Sequence, residues 1–206
     1  QISPDTYKSK IAADPDLKFK FLRTVGRWTT KDLKTIALDL ENKDYDMVSL
    51  HGTWAREKHI QRQRVIFGEQ KVSSIRGISS AQESSFIALA EHSATDETGE
   101  VFGFNLIYSG NFMSQVQMNQ FNNIRVTTGI NAEKFEWPLK PGEHFTSPEA
   151  VIVYSDKGFG KMTRTFHDLW RSHLIRGMYA DRMRPVLINN WEATYFDFDT
   201  EKLISI

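Results

Sequence analysis

The chain has 206 residues, with 26 basic and 26 acidic side chains, so its formal charge cancels and a polyanion such as nucleic acid is excluded as a partner on electrostatic grounds. It contains no cysteine, which rules out disulfide frameworks and thiolate metal sites and makes a reducing, cytoplasmic compartment the expected one. No apolar run approaches the roughly 18 to 20 residues of a membrane-spanning helix, and Gln1 is not an initiator methionine, so the chain reads as an excised piece of something longer.

Taken in order, residues 1 to 16 carry Pro4, Asp5, Asp14, Pro15 and Asp16 and read as a ragged edge. Ile36, Leu38 and Leu40 alternate in a strand pattern over Leu33 to Leu40, Asn42 to Asp44 is a turn, and Met47 to Leu50 resumes a strand. His51 to Arg64 is charged on every face around an embedded Trp54, too polar for a helix. Strands are expected at Val72 to Ile78 and Ser85 to Ala90, separated from the next by the polar loop Ser93 to Gly99. Over Glu100 to Ser109, Phe102, Phe104, Leu106 and Tyr108 alternate with smaller or polar neighbours, which places one aromatic face on one strand. Gly110-Asn111 suits a hairpin turn, because both residues tolerate positive φ. Val116 and Met118 face one way over Gln115 to Asn119. Further strands fit Ile124 to Ile130, Phe135 to Leu139 and Ala150 to Tyr154, with Pro141-Gly142 turning between the last two. Many short strands punctuated by turns indicate a sandwich of antiparallel sheets.

Met162 to Met178 breaks that pattern, since Met162, Phe166, Leu169, Trp170, His173 and Leu174 fall at helical spacing and Gly177 supplies an end signal. After it, Pro185 marks a start, and Val186 to Ile188 is the apolar run of a strand buried on both faces. Asn189, Asn190, Trp191 and Glu192 then stand at the strand's carboxyl end, where α/β folds gather their ligand groups.

Few stretches carry chemistry of their own. Ser155 to Lys161 imitates a phosphate loop, but it has Ser155 where a glycine is needed and Met162 where a hydroxyl is needed, so it reads as a strand-to-helix turn. The six histidines lack metal-ligand spacing, and no serine sits in a G-x-S-x-G elbow. Asp197 and Asp199 would share a strand face, and Asp96, Glu97 and Glu100 sit in a loop without an aromatic neighbour; both groups read as solvated rather than as a glycosidase pair. Trp54, flanked by Gly52 and charge, either stacks on a sugar, anchors a subunit contact or plugs the sheets.

His51 to His59 with Ile60-Gln61-Arg62, Gly99 to Phe104, Tyr108 to Phe112, Thr146 to Asp156 and above all Arg184 to Phe198 together resemble the bacterial α-galactosidases of glycoside hydrolase family 36, from about residue 45 to the end. The resemblance implies a mainly β fold. Residues 1–160 would form part of a galactose-mutarotase-like amino-terminal β-sandwich (a supersandwich), 161–183 a linker helix, and 184–206 the first strand of a catalytic (β/α)8 barrel. It implies retaining cleavage of terminal α-1,6-linked galactose by an aspartate pair on later strands that are not in this chain, with no cofactor. Its implied partners are a galactose-containing oligosaccharide and further copies of the chain in a homo-tetramer. Trp191 matches the tryptophan that lines the sugar pocket, and Trp54 one that reaches a neighbouring subunit's active-site mouth. One stretch departs from the pattern: Ser79 to Phe86 reads Ser-Ser-Ala-Gln-Glu-Ser-Ser-Phe where the family shows Ser-Ser-His-Gln-His-Asn-Pro-Phe. The alternative is a free-standing carbohydrate-binding or interaction module that uses Trp54 and the Phe102–Tyr108 face.

Overall fold

The computed structural model describes the backbone of residues 20–22 and 35–40, and residues 44–79, 81–133 and 135–206 in full. The expected tail over residues 1 to 16 and most of the Asn42 to Asp44 turn lie outside the described residues. Two compact units divide the chain, Gln1–Leu169 and Trp170–Ile206.

The first unit is a pair of antiparallel sheets. The larger contains β1 (Lys20–Leu22), β3 (Tyr45–Thr53), β4 (Arg56–Arg64), β6 (Glu83–Glu91), β7 (Val101–Ile107) and β10 (Glu149–Ser155), in the order β1-β10-β7-β6-β3-β4. The smaller contains β2 (Thr35–Leu40), β5 (Gly68–Ser73), β8 (Phe112–Met118) and β9 (Ile124–Ile130), in the order β2-β9-β8-β5. Side chains from both sheets meet in one core, with Tyr45, Met47, Leu89, Phe102, Phe104 and Ile152 from the larger and Val72, Phe112, Val116 and Val126 from the smaller. The period-2 pattern is the cause. Each strand presents alternate residues to one face, and burying that face is the main favourable term.

β7 shows how the two faces are used. Phe102, Phe104 and Leu106 enter the core, while Gly103 faces the helix α1 (Gly158–Leu169). A Cβ at Gly103 would lie 2.6 Å from both Met162 Sδ and Phe166 Cε2, so only glycine admits the helix this closely. Met162, Phe166 and Leu169 form the buried stripe of α1, and Phe86 meets Phe166 edge-to-face at 5.7 Å. The aromatic face foreseen on this strand therefore exists as core, and the module that would bind sugar with it has no such surface. Tyr108 leaves the strand and lies over Gly110.

Other expectations need correction. The strand placed at Val72 to Ile78 lies earlier, at Gly68–Ser73, where its pairing with β8 runs from Gly68 opposite Met118 to Ser73 opposite Met113. Gly110-Asn111 is a turn but not a hairpin: β7 pairs within the larger sheet and β8 within the smaller, so the chain crosses from one sheet to the other there. Phe135 to Leu139 is not a strand. Its alternation serves aromatic packing instead, with Phe145 6.0 Å from Phe135 and 5.1 Å from Trp137. The helix begins at Gly158 rather than Met162 and leaves the α form at Leu169, where its buried stripe ends; Trp170–Leu174 is a π turn.

In the second unit, α2 (Trp191–Thr194) and α3 (Thr200–Ser205) follow a stretch without regular structure. The strand expected over Pro185 to Ile188 is absent, and Val186 and Leu187 are 94% and 92% exposed. A strand exists only through its ladder, and among the described residues no strand lies in this unit to supply one.

Candidate functional site

Trp54 sits at the tip of the β3–β4 hairpin and is 82% exposed. Thr53 and Arg56 are register partners, so Trp54-Ala55 is a two-residue turn, with Ala55 at a positive φ of 59°. β6 begins at Glu83, opposite His51, so the hairpin beyond His51 loses its support from that side of the sheet. Among the described residues β4 pairs only with β3, and every residue of it is exposed. That explains why the stretch gave no periodicity: neither face is buried.

Trp191 opens α2 and is 44% exposed. Its backbone is set by the two asparagines before it. Asn189 Oδ1 accepts the Trp191 amide at 3.0 Å, and the Asn190 carbonyl accepts from Ala193 N at 3.0 Å and Thr194 N at 2.9 Å. Asn190 Nδ2 donates to Thr194 Oγ1 at 2.6 Å. Tyr195 and Phe196 stand edge-on to the indole at 5.2 and 4.9 Å. The polar run after Ile188 is thus an asparagine-templated turn that holds up an aromatic cluster. Trp54 belongs to the first unit and Trp191 to the second.

The carboxylates foreseen as solvated divide into two groups. Asp199 caps α3 by accepting the Lys202 amide at 2.8 Å, and Asp197 Oδ2 meets Lys202 Nζ at 3.0 Å, both on an exposed surface. They occupy a turn and a helix cap, not one strand face. Glu100 is the opposite case, only 7% exposed. Tyr45 Oη donates to its Oε1 and Tyr154 Oη to its Oε2 at 2.9 Å. Burial and these bonds to the Glu100 carboxylate push both phenols well above the ordinary tyrosine range.

A second polar cluster escaped the sequence reading. Asp46, 2% exposed, accepts from Arg62 Nε at 2.6 Å and lies 3.0 Å from His92 Nδ1. Arg62 also donates to the carbonyls of Ala94, Glu91 and His92 at 2.9, 2.7 and 2.8 Å, tying the 91–94 loop to β4. Burial alone would raise the Asp46 pKa; hydrogen bonds and charge from Arg62 and His92 outweigh it and hold the carboxyl below its usual value. Spacings of 16 and 46 residues leave no local signal by which either partner could have been found. Both clusters are occupied by internal partners, so they are architecture.

The false phosphate loop is likewise spoken for. Gly158 N donates to Gly99 O at 2.9 Å, Phe159 N to Thr95 O at 3.0 Å and Gly160 N to Asp96 O at 2.8 Å, which consumes the amides a phosphate would need. Among the described residues no group of three His, Cys, Asp or Glu side chains could hold a metal ion, and no helix is long and apolar enough to cross a membrane.

Residues 18–140 match the family model for the glycosyl hydrolase family 36 N-terminal domain, and residues 144–206 match the model for melibiase. The match begins well before residue 45, where the motif resemblance starts. The chain is 49% identical over 172 residues to α-galactosidase AgaA of Geobacillus stearothermophilus and 44% identical over 172 residues to α-galactosidase Mel36A of Lactobacillus acidophilus, each covering 84% of this chain. It spans 24% of the length of either relative. Among solved structures, a variant of the Geobacillus enzyme in complex with raffinose superposes with a TM-score of 0.79 at 49% identity, over 82% of this chain and 24% of that one. The stachyose complex gives 0.78 over the same shares.

Proposed function

This chain belongs to glycosyl hydrolase family 36, and from that premise we propose that it is the amino-terminal part of an α-galactosidase that releases terminal α-1,6-linked galactose from melibiose- and raffinose-type oligosaccharides with retention. The observation that carries the reading is the 49% identity to an α-galactosidase across 84% of the chain. The raffinose and stachyose bound to the solved relative support the substrate class. Retention needs two carboxyl groups about 5 to 5.5 Å apart, and the carboxylates described above are engaged in caps, ion pairs and buried clusters instead. On this reading the catalytic aspartate pair belongs to sequence outside these 206 residues.

Residues 1–160 act as the sandwich, 161–183 as the linker and 184–206 as the beginning of the barrel. On this reading the segment over Pro185 to Ile188 becomes a strand once neighbouring barrel strands supply its ladder. Trp191 lines the galactose pocket from the first barrel loop. Trp54 meets substrate at the pocket of a neighbouring copy within a homo-tetramer, and its exposed hairpin tip supports that role. The cysteine-free composition fits the cytoplasm.

The test is direct. Residues 1–206 incubated with an aryl α-galactoside release no aglycone above buffer, while the full-length protein does. Turnover by the 206-residue chain that survives further purification would place a catalytic pair within it and overturn the assignment.

A further inference from the structure

The regular pairing of the β3–β4 ribbon is interrupted at one point, His51-Gly52. Two register shifts flank His51, one against β6 between Ser49 and His51 and one against β4 between His51 and Thr53. Regular pairing therefore does not dictate the direction in which the ribbon leaves. At Gly52 the returning strand passes so close that a Cβ would lie 2.3 Å from Arg56 O and 2.7 Å from Glu57 Cα. Trp54 follows two residues later.

Side chains take over at this point. His51 Nε2 lies 2.7 Å from Ser49 Oγ, and His51 Nδ1 lies 3.1 Å from Glu83 Oε2. Glu83 Oε2 is enclosed and takes no aligned hydrogen bond, and the imidazole nitrogen 3.1 Å away is the polar group that faces it. When Ser49 donates to Nε2, the ring proton sits on Nδ1 and faces Glu83. Next to this pair, Gly52 N donates to Gln82 O at 3.1 Å, so the strand leading to Trp54 is held to β6 by consecutive contacts through residues 82 and 83.

We propose that His51 and Glu83 are positioning residues, a clamp at the base of the ribbon that fixes the direction in which Trp54 is presented to substrate. The inference rests on the reading of Trp54 as a sugar contact given above. Trp54 is the only large apolar residue in the turn, and a tip on an unsupported ribbon scans many directions unless its base is fixed. Restricting those directions before binding lowers the entropy lost on binding.

The experiment uses the full-length enzyme with Glu83→Ala, Glu83→Gln, Trp54→Ala and the Glu83→Ala/Trp54→Ala double variant. Hydrogen exchange of amides 52–60 and the kinetics of raffinose hydrolysis are measured on each. Loss of the clamp is expected to speed exchange over 52–60 by about tenfold, the size of one charged hydrogen bond, with β6 and β7 unchanged. KM for raffinose is expected to rise about three- to tenfold at unchanged kcat, the mark of lost uniform binding. Glu83→Gln, which keeps an acceptor for Nδ1–H, recovers most of both effects, and Glu83→Ala adds nothing to KM in the Trp54→Ala background.

Unchanged exchange over 52–60 in Glu83→Ala overturns the clamp, as does a rise spread evenly over the whole sandwich. A loosened ribbon with KM raised by Trp54→Ala but not by Glu83→Ala overturns the positioning role. A loosened ribbon with KM unmoved in both variants leaves the clamp standing and removes Trp54 from sugar binding.

Discussion

Gly103 illustrates how much can depend on an absent side chain. Its place in β7, directly under Met162 and Phe166, lets α1 lie against the sheet at a distance that any Cβ would violate. Gly103→Val should therefore destabilise the sandwich by about 2 to 3 kcal/mol through overpacking, read as a lowered urea midpoint. Asp46 gives a second residue-scale expectation, with a defined sign. Its carboxyl stays charged to lower pH in the folded state than in the unfolded one, so its contribution is full above about pH 4 and fades as pH falls through the lowered folded value. Asp46→Asn should cost about 1 to 3 kcal/mol at neutral pH and flatten the loss of stability measured below pH 4. For Trp191, exposed over almost half its surface, the expected loss lies in catalysis. On the proposed reading, Trp191→Ala in the full-length protein should lower kcat/KM about 10- to 100-fold by removing apolar cover from a galactose ring, with Tm little changed. Near-normal kinetics would exclude Trp191 from the pocket. None of the buried polar clusters could be read from the chain: Glu100 meets Tyr45 and Tyr154 across 55 and 54 residues, and only the folded sheets bring them together.

Elements were legible in proportion to how unequal their two faces are. β8 alternates cleanly, with Val116 in the core and Gln115 and Gln117 away from it, and its partner β9 spans Ile124–Ile130 as the pattern indicates. β4 has no buried face, so period 2 had nothing to mark. Around Trp137, alternation was present but misleading, because Phe145 rather than a neighbouring strand receives those rings. The apolar run over Val186 to Ile188 has the pattern of a buried strand, yet backbone pairing cannot be written into one segment alone. The hairpin permits a further prediction at this scale. Because Trp54 projects into solvent, Trp54→Ala should shift folding stability by no more than about 0.5 kcal/mol, checked by denaturant unfolding. A larger loss would mean that the indole is packed and not presented.

At the scale of the molecule, the two-sheet architecture followed from turn-punctuated strands, whereas the split of strands between sheets did not. Gly110-Asn111 looked like the tip of a hairpin and instead carries the chain across the core, since turn chemistry says that a chain reverses without saying which strand receives it. Order of appearance in the chain is also far from order in space. β2 at Thr35–Leu40 finds its partner in β9 at Ile124–Ile130, and β1 at Lys20–Leu22 pairs with β10 at Glu149–Ser155. On a ribosome adding about 5 to 20 residues per second, β1 and β2 wait on the order of ten seconds for the strands they pair with. Until then their backbone groups remain open to any other nascent chain nearby. Among the described residues β1 and β2 find their partners only from Ile124 onward, and the time between emergence and pairing is the time during which a chaperone can matter.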